Sequence, residues 1–102
     1  MYQLTTHDTA AYSLSGSLTI YEARDAHQAL LAAAAEPAPG VWTLDIQALE
    51  ELDSAGVQLL LALDKHLRQY SAELQLLQPG PELRDLLDLL RLQVLYRSSP
   101  SV

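Results

Sequence analysis

The chain contains no cysteine and no phenylalanine, a single tryptophan, and six basic residues among 102. Without cysteine, a disulfide framework, a thiol nucleophile and a cysteine zinc site are excluded. Without phenylalanine, and with hydrophobic residues at 49% of the total, the core has to be built mostly from Leu, Val, Ile and Ala. That suits a small layered domain and argues against disorder. Six basic residues against thirteen acidic ones give a net charge of −7, too few positive groups to track a phosphate backbone, so nucleic-acid binding is not expected. The acidity favours a partner with a basic surface. No apolar run approaches the roughly 20 residues of a membrane span. The opening MYQLTTHDTA lacks a basic region followed by an apolar run, so no secretory signal is expected and a cytoplasmic location is.

Chemical motifs are equally scarce. Neither a G-x-G-x-x-G loop nor a Walker pattern occurs, so nucleotide binding has no support and no cofactor is expected. His7, His27 and His66 are far apart and lack i,i+4 partners, and Glu50 and Glu51 read as a solvated loop, so no metal site is expected. A hydrolase would need Ser54 as nucleophile, but LDSAG has Leu52 where the nucleophile elbow places its first glycine. His66 lies about 18 Å along the same helix from Ser54 by helix rise. No catalytic residue is assigned, and the histidines read as solvent-exposed.

The 102 residues are expected to form one α/β domain, long enough for one core. Tyr2–Thr6 and Ala10–Ser15 read as strands joined by a tight turn at His7-Asp8, with Gly16 and Ser17 breaking the second. Thr19 and Glu22 form a capping-box pattern opening a helix over about Ile20 to Ala35, with Ala23, Ala26, Leu30 and Ala33 on one face. Pro37 and Pro39 stop it. Val41–Ile46 reads as a buried strand. A second helix follows LDSAG to about Tyr70, and ELQLLQ, residues 73–78, is the next strand. Pro81 opens a third helix carrying Leu83, Leu86, Leu87 and Leu90, and QVLY adds a short extended segment. The order is β-β-α-β-α-β-α, implying a mixed, mostly parallel four-stranded sheet flanked by helices.

ELDSAG, residues 51–56, stands where strand and loop give way to the second helix. Two readings fit it. The first is structural: Asp53 and Ser54 cap the helix, with about 1 kcal/mol for such a bond, and Gly56 lets it approach the sheet. In the second, Ser54 is a modifiable switch, because free amides and the dipole at a helix start hold a phosphoryl group of about −1.5 to −2 charges. Asp53, and Asp45 from the preceding strand, would lie near that added charge. On the helix, Gly56, Leu59, Leu60, Leu63, Leu67 and Tyr70 form the core-facing stripe. Val57 and Leu61 fall outside it, beside Asp64, Lys65 and Arg68. They are read either as packing under a neighbour or as an apolar partner patch beside Ser54. On the second view Leu61→Asp keeps the fold and weakens binding.

The segments SGSLTIYEA (15–23), VWTLDI (41–46), LDSAGVQLLLAL (52–63) and LQLLQPGPELRDLLDLLRL (74–92) resemble STAS domains in order and spacing, over nearly the whole chain. The Asp-Ser-Ala-Gly element is the most specific part of that resemblance. The family includes bacterial anti-sigma factor antagonists, so the resemblance implies a non-enzymatic switch in signal transduction and transcription regulation. Ser54 matches the serine phosphorylated by a partner kinase that doubles as an anti-sigma factor and is reset by a phosphatase. Asp53, Ser54, Ala55, Val57 and Leu61 then form the partner-binding face, while Asp45 and Gly56 match structural positions of the motif. The chain is also similar to short STAS proteins that accompany chemotaxis kinases or serve as cytoplasmic subunits of phospholipid-transport ATPases, in which Ser54 belongs to a docking surface.

Overall fold

The computed structural model describes residues 2–96. The order along the chain is β1 (Tyr2–Asp8), β2 (Ala11–Leu18), α1 (Ala23–Ala33), β3 (Gly40–Asp45), β4 (Leu49–Leu52), α2 (Ser54–Arg68), β5 (Ala72–Leu77) and α3 (Pro81–Leu89), followed by a short 3-10 turn at Gln93–Leu95. The fold is the expected α/β arrangement with a mixed, mostly parallel sheet, carrying a fifth short strand in β4. The sheet runs β1-β2-β3-β5, with β4 also on β2. β1 and β2 are antiparallel, and the other pairings are parallel.

Strand alternation decides where the core lies. Tyr12, Leu14 and Leu18 of β2, Trp42 and Leu44 of β3, and Ala72, Leu74 and Leu76 of β5 are all buried, and all are even-numbered. Their register confirms one shared face, with Tyr12 opposite Leu44 and Trp42 opposite Leu74. The helices cover this face. Ala26 and Leu30 of α1, Leu59, Leu60, Leu63 and Leu67 of α2, and Leu83 and Leu87 of α3 complete one core. The lone tryptophan stacks on Tyr12 with ring centroids 4.6 Å apart and planes 17° from parallel, within the range of favourable aromatic pairs.

Some boundaries differ from the sequence reading. Gly16 does not end β2: with φ at 87° it carries the strand through a register shift to Leu18. That shift pairs with a jog in the neighbouring chain. β3 follows β2 over Ala11–Ser13, and β4 rejoins it over Gly16–Leu18. The intervening residues turn through Leu49 N–H donating to Ile46 O at 3.1 Å and Gly16 N–H donating to Ala48 O at 3.2 Å. The acidic composition of LEEL masks a strand only four residues long. α1 starts at Ala23 because the capping box forms only in half. Glu22 reaches back to the Thr19 amide at 3.2 Å, while the Thr19 hydroxyl donates to Glu22 rather than accepting from a helix amide. QVLY forms the 3-10 turn rather than an extended segment, with Leu95 buried. Tyr70 lies beyond the end of α2 and is exposed.

Candidate functional site at the start of the second helix

β4 delivers the chain to α2 with no intervening loop. Leu52 is paired with Leu18, and Asp53, in extended conformation, is the N-cap of α2. Its Oδ1 accepts from Gly56 N–H at 3.0 Å, the capping bond. Its Oδ2 accepts from Ile20 N–H, also at 3.0 Å. The Asp53 amide donates to Leu18 O at 3.4 Å, and its carbonyl accepts from Val57 N–H at 3.0 Å. One residue therefore binds the end of β2, the β2–α1 loop and the first turn of α2. The amide bonds, from Gly56 first and Ile20 after desolvation, hold the Asp53 carboxyl below its ordinary value. In the adjoining loop the Glu22 carboxyl is held at about 2, first by the Thr19 hydroxyl and also by Ser17.

Because Asp53 makes the cap, Ser54 stands at the first helical position and is exposed. Among the described residues its hydroxyl has no hydrogen bond. The cap is therefore Asp53 alone, and the serine is not needed to close the helix. Gly56 is required by space: a Cβ there would lie 2.2 Å from Leu18 O and 2.6 Å from Leu52 Cδ1. The helix begins pressed against the end of β2, as the glycine suggested.

The other expected site residues divide. Ala55 is half-buried beside Ser54. Val57 is 2% exposed, which removes it from any accessible face in this conformation; the apolar arc of α2 is wider than the stripe counted from the sequence. Leu61 is half-buried and packs against the core. The outward face of α2 consists instead of Ser54, Gln58, Ala62 and Lys65. Asp45 does not lie near Ser54. It sits opposite Ser13, five β2 residues or about 16 Å from the Leu18 end, and its Oδ1 accepts from Gln47 N–H at 2.8 Å to shape the jog.

Residues absent from the sequence reading join the site. Ile20 and Tyr21, 68% and 92% exposed, project from the loop that Asp53 holds. Their position within a supposed helix start hid them; the half-formed capping box sets them outside it. A groove of about 340 Å³ beside them is lined by Glu50, Glu51, Asp53 and Glu82, with Leu52, Leu83 and Leu86 supplying apolar wall. Among the described residues no basic side chain lines it. Among the described residues no group of three or more His, Cys, Asp or Glu could hold a metal ion, and no helix is long and apolar enough to cross a membrane. The histidines are not all solvent-exposed as the sequence suggests, since His27 and His66 are half-buried. His66 is half-buried with Nε2 2.6 Å from Ala34 O, joining α2 to the end of α1, and His7 Nε2 lies 2.9 Å from Ser13 Oγ.

The family model described as Mlab, STAS domain, matches residues 3–97. The chain belongs to the STAS family. Solved structures agree with its fold. The STAS chain is similar to the anti-sigma factor antagonist SpoIIAA in its unphosphorylated form, with a TM-score of 0.76 at 19% identity, over 99% of this chain and 90% of that one. It is also similar to an anti-sigma factor antagonist from Mycobacterium paratuberculosis, with a TM-score of 0.76 at 26% identity, over 100% of this chain and 86% of that one. Among curated proteins none matches.

Proposed function

We propose that this STAS domain is a protein-binding switch of the anti-sigma factor antagonist type, without catalysis of its own. A partner serine kinase phosphorylates Ser54 and a phosphatase resets it. The observation that carries this reading is the exposed Ser54 hydroxyl, relieved of capping by Asp53, on the first turn of α2. A kinase can reach it without unravelling the helix, and the amides and dipole of that turn favour a phosphoryl group. The similarity to anti-sigma factor antagonists supports the same reading. The partner face comprises Ser54, Asp53 and Ala55, flanked by Ile20 and Tyr21, with Leu61 at its inner margin.

The acidic groove favours a second reading. With Glu50, Glu51, Asp53 and Glu82 lining it, a phosphoryl group nearby meets like charge. The same surface then docks unmodified on a basic partner, as a subunit of a phospholipid-transport ATPase or a chemotaxis complex. Incubation with the candidate kinase and ATP, followed by mass spectrometry, separates the two. Phosphate on Ser54, with weaker partner binding by Ser54→Glu than by Ser54→Ala, supports the switch. No phosphate with any cognate kinase, and equal binding by both variants, eliminates it and leaves docking.

A further inference from the structure

The strand path ends in β1 and in β5, and of these two edge strands β5 carries a charged residue, Glu73. β1 pairs with β2 on one side, and among the described residues no strand pairs with its other side. Alternate N–H and C=O groups of an edge strand point outward, and what satisfies such a row is another strand. Natural edges are commonly blunted by lysine, proline or an irregularity. In YQLTTHD there is no lysine or proline, and the single register shift comes only after Thr6. The regular edge is therefore Tyr2–Thr6, five residues without a formal charge in an otherwise acidic molecule.

We infer that this edge pairs with the same edge of a second copy, antiparallel about a two-fold axis at Leu4. Several observations select that occupant and register. Residues directly opposed across antiparallel strands share a face, so pairing about Leu4 sets Leu4 against its counterpart, Tyr2 against Thr6 and Gln3 against Thr5. Even-numbered residues stay together, and the helical layers of both copies lie on one side of a continuous sheet. Beside the edge on that side is a groove of about 620 Å³ whose lining includes Tyr2, Leu4, Tyr21 and Ala29. The opposed leucines extend its apolar floor. An axis at Thr5 instead would set Asp8 against Tyr2, whose hydroxyl already donates to Asp25 at 2.8 Å, and would crowd two carboxylates.

Charge also fits the register about Leu4. The acidic groups near the groove, Glu22 and Asp25, lie toward the Tyr2 end of the strand. Antiparallel pairing carries the two Tyr2 residues four positions apart, about 14 Å, beyond a Debye length of about 8 Å at physiological salt. A second copy therefore brings no close repulsion at the seam, while the −7 net charge opposes association at long range. The interface is small, below the roughly 1,200 Å² of stable complexes, so the dimer forms at high concentration and strengthens with salt.

The chain itself provides the assay. Sedimentation equilibrium of the parent protein into the millimolar range, at low and at high salt, is expected to show a monomer–dimer equilibrium shifted toward dimer by salt. Gln3 and Thr5 are exposed, so changes there spare the core. The double variant Gln3→Lys/Thr5→Lys sets like charges opposite one another at both ends of the seam and is expected to be monomeric throughout. Gln3→Glu/Thr5→Lys sets opposite charges there and is expected to dimerise at least as well as the parent. In a chain without native cysteine, oxidation of a mixture of Gln3→Cys and Thr5→Cys proteins is expected to give the mixed disulfide in preference to either homodimer. A parent that stays monomeric in high salt, equal behaviour of the two charged variants, or indiscriminate cross-linking overturns the proposal.

Discussion

Replacing Gly56 by alanine tests the central geometric statement, that α2 begins in contact with the end of β2. The added Cβ falls 2.2 Å from the Leu18 carbonyl oxygen, 2.6 Å from Leu52 Cδ1 and 3.2 Å from the Leu18 carbonyl carbon. The leucine methyl can rotate away, but the carbonyl is backbone, held by the pairing of Leu18 with Leu52 and by the bond it accepts from Asp53 N–H at 3.4 Å. The helix start has to lift, which loosens the Asp53–Gly56 bond and the packing beneath. Overpacking costs about 1–3 kcal/mol, and a backbone obstacle argues for the upper end. Alanine returns about 1 kcal/mol through helix propensity, leaving a net loss of about 2 kcal/mol. For a domain of this size that lowers the Tm by about 8–16 °C. Thermal melts followed by the fluorescence of Trp42, the only tryptophan and 2% exposed, measure it directly. Gly80→Ser is the control: a Cβ there meets nothing within 4 Å, and serine is a good N-cap for α3, so its Tm should hold or rise slightly. A Gly56→Ala protein melting within about 2 °C of the parent would show that the first turn of α2 has slack and refute the close approach.

The Asp53 carboxyl is held below its ordinary value by amide bonds, so its stabilisation is present above about pH 4, its unfolded value, and disappears as pH falls through the lower folded value. Asp53→Asn should flatten that part of the acid-stability profile in urea melts between pH 5 and 2, whereas Asp53→Ala should also lose about 1 kcal/mol at neutral pH through the cap; an unchanged acid slope in Asp53→Asn would remove Asp53 from the titration. Leu61→Asp, harmless on a purely outward helix face, is now expected to lower stability by about 1–3 kcal/mol because Leu61 packs against the core; a parental Tm combined with weak partner binding would return Leu61 to the surface. Ile20→Ser and Tyr21→Ser should leave the Tm nearly unchanged and weaken binding of a cognate partner, checked by calorimetry, and full affinity in both would take the loop out of the interface.

The parts of the fold that repeat were the parts legible in the sequence. Alternating apolar residues in β2, β3 and β5, and the helical stripe from Leu59 to Leu67, give periodic signals strong enough to set faces and order. β4 was missed because LEEL presents acids on a strand that only skirts β2, and four residues carry too little periodicity. Val57 was misplaced for a different reason: a helix wedged between a sheet and other elements buries a wider arc than a single stripe predicts. At the site, the Asp-Ser-Ala-Gly spacing led to the right helix start and to the close approach of Gly56. The division of labour between Asp53 and Ser54 was not legible, since either side chain can cap. It depends on Ile20 N–H, a partner 33 residues away in the chain. The expected nearness of Asp45 to the serine fails because the jog between β3 and β4 consumes the intervening residues along β2.

The paired acceptors of Asp53 have a dynamic corollary. Ile20 N–H and Gly56 N–H end on opposite oxygens of one carboxylate. A rotation that frees the loop amide therefore strains the helix amide as well. Excursions of the Ile20–Tyr21 loop and fraying of the first turn of α2 are then one event rather than two. The two protons should exchange with solvent at matched rates, and a ligand that grips either segment should slow both. A single side chain thus sets whether the surface around Ser54 moves as separate pieces or as one plate.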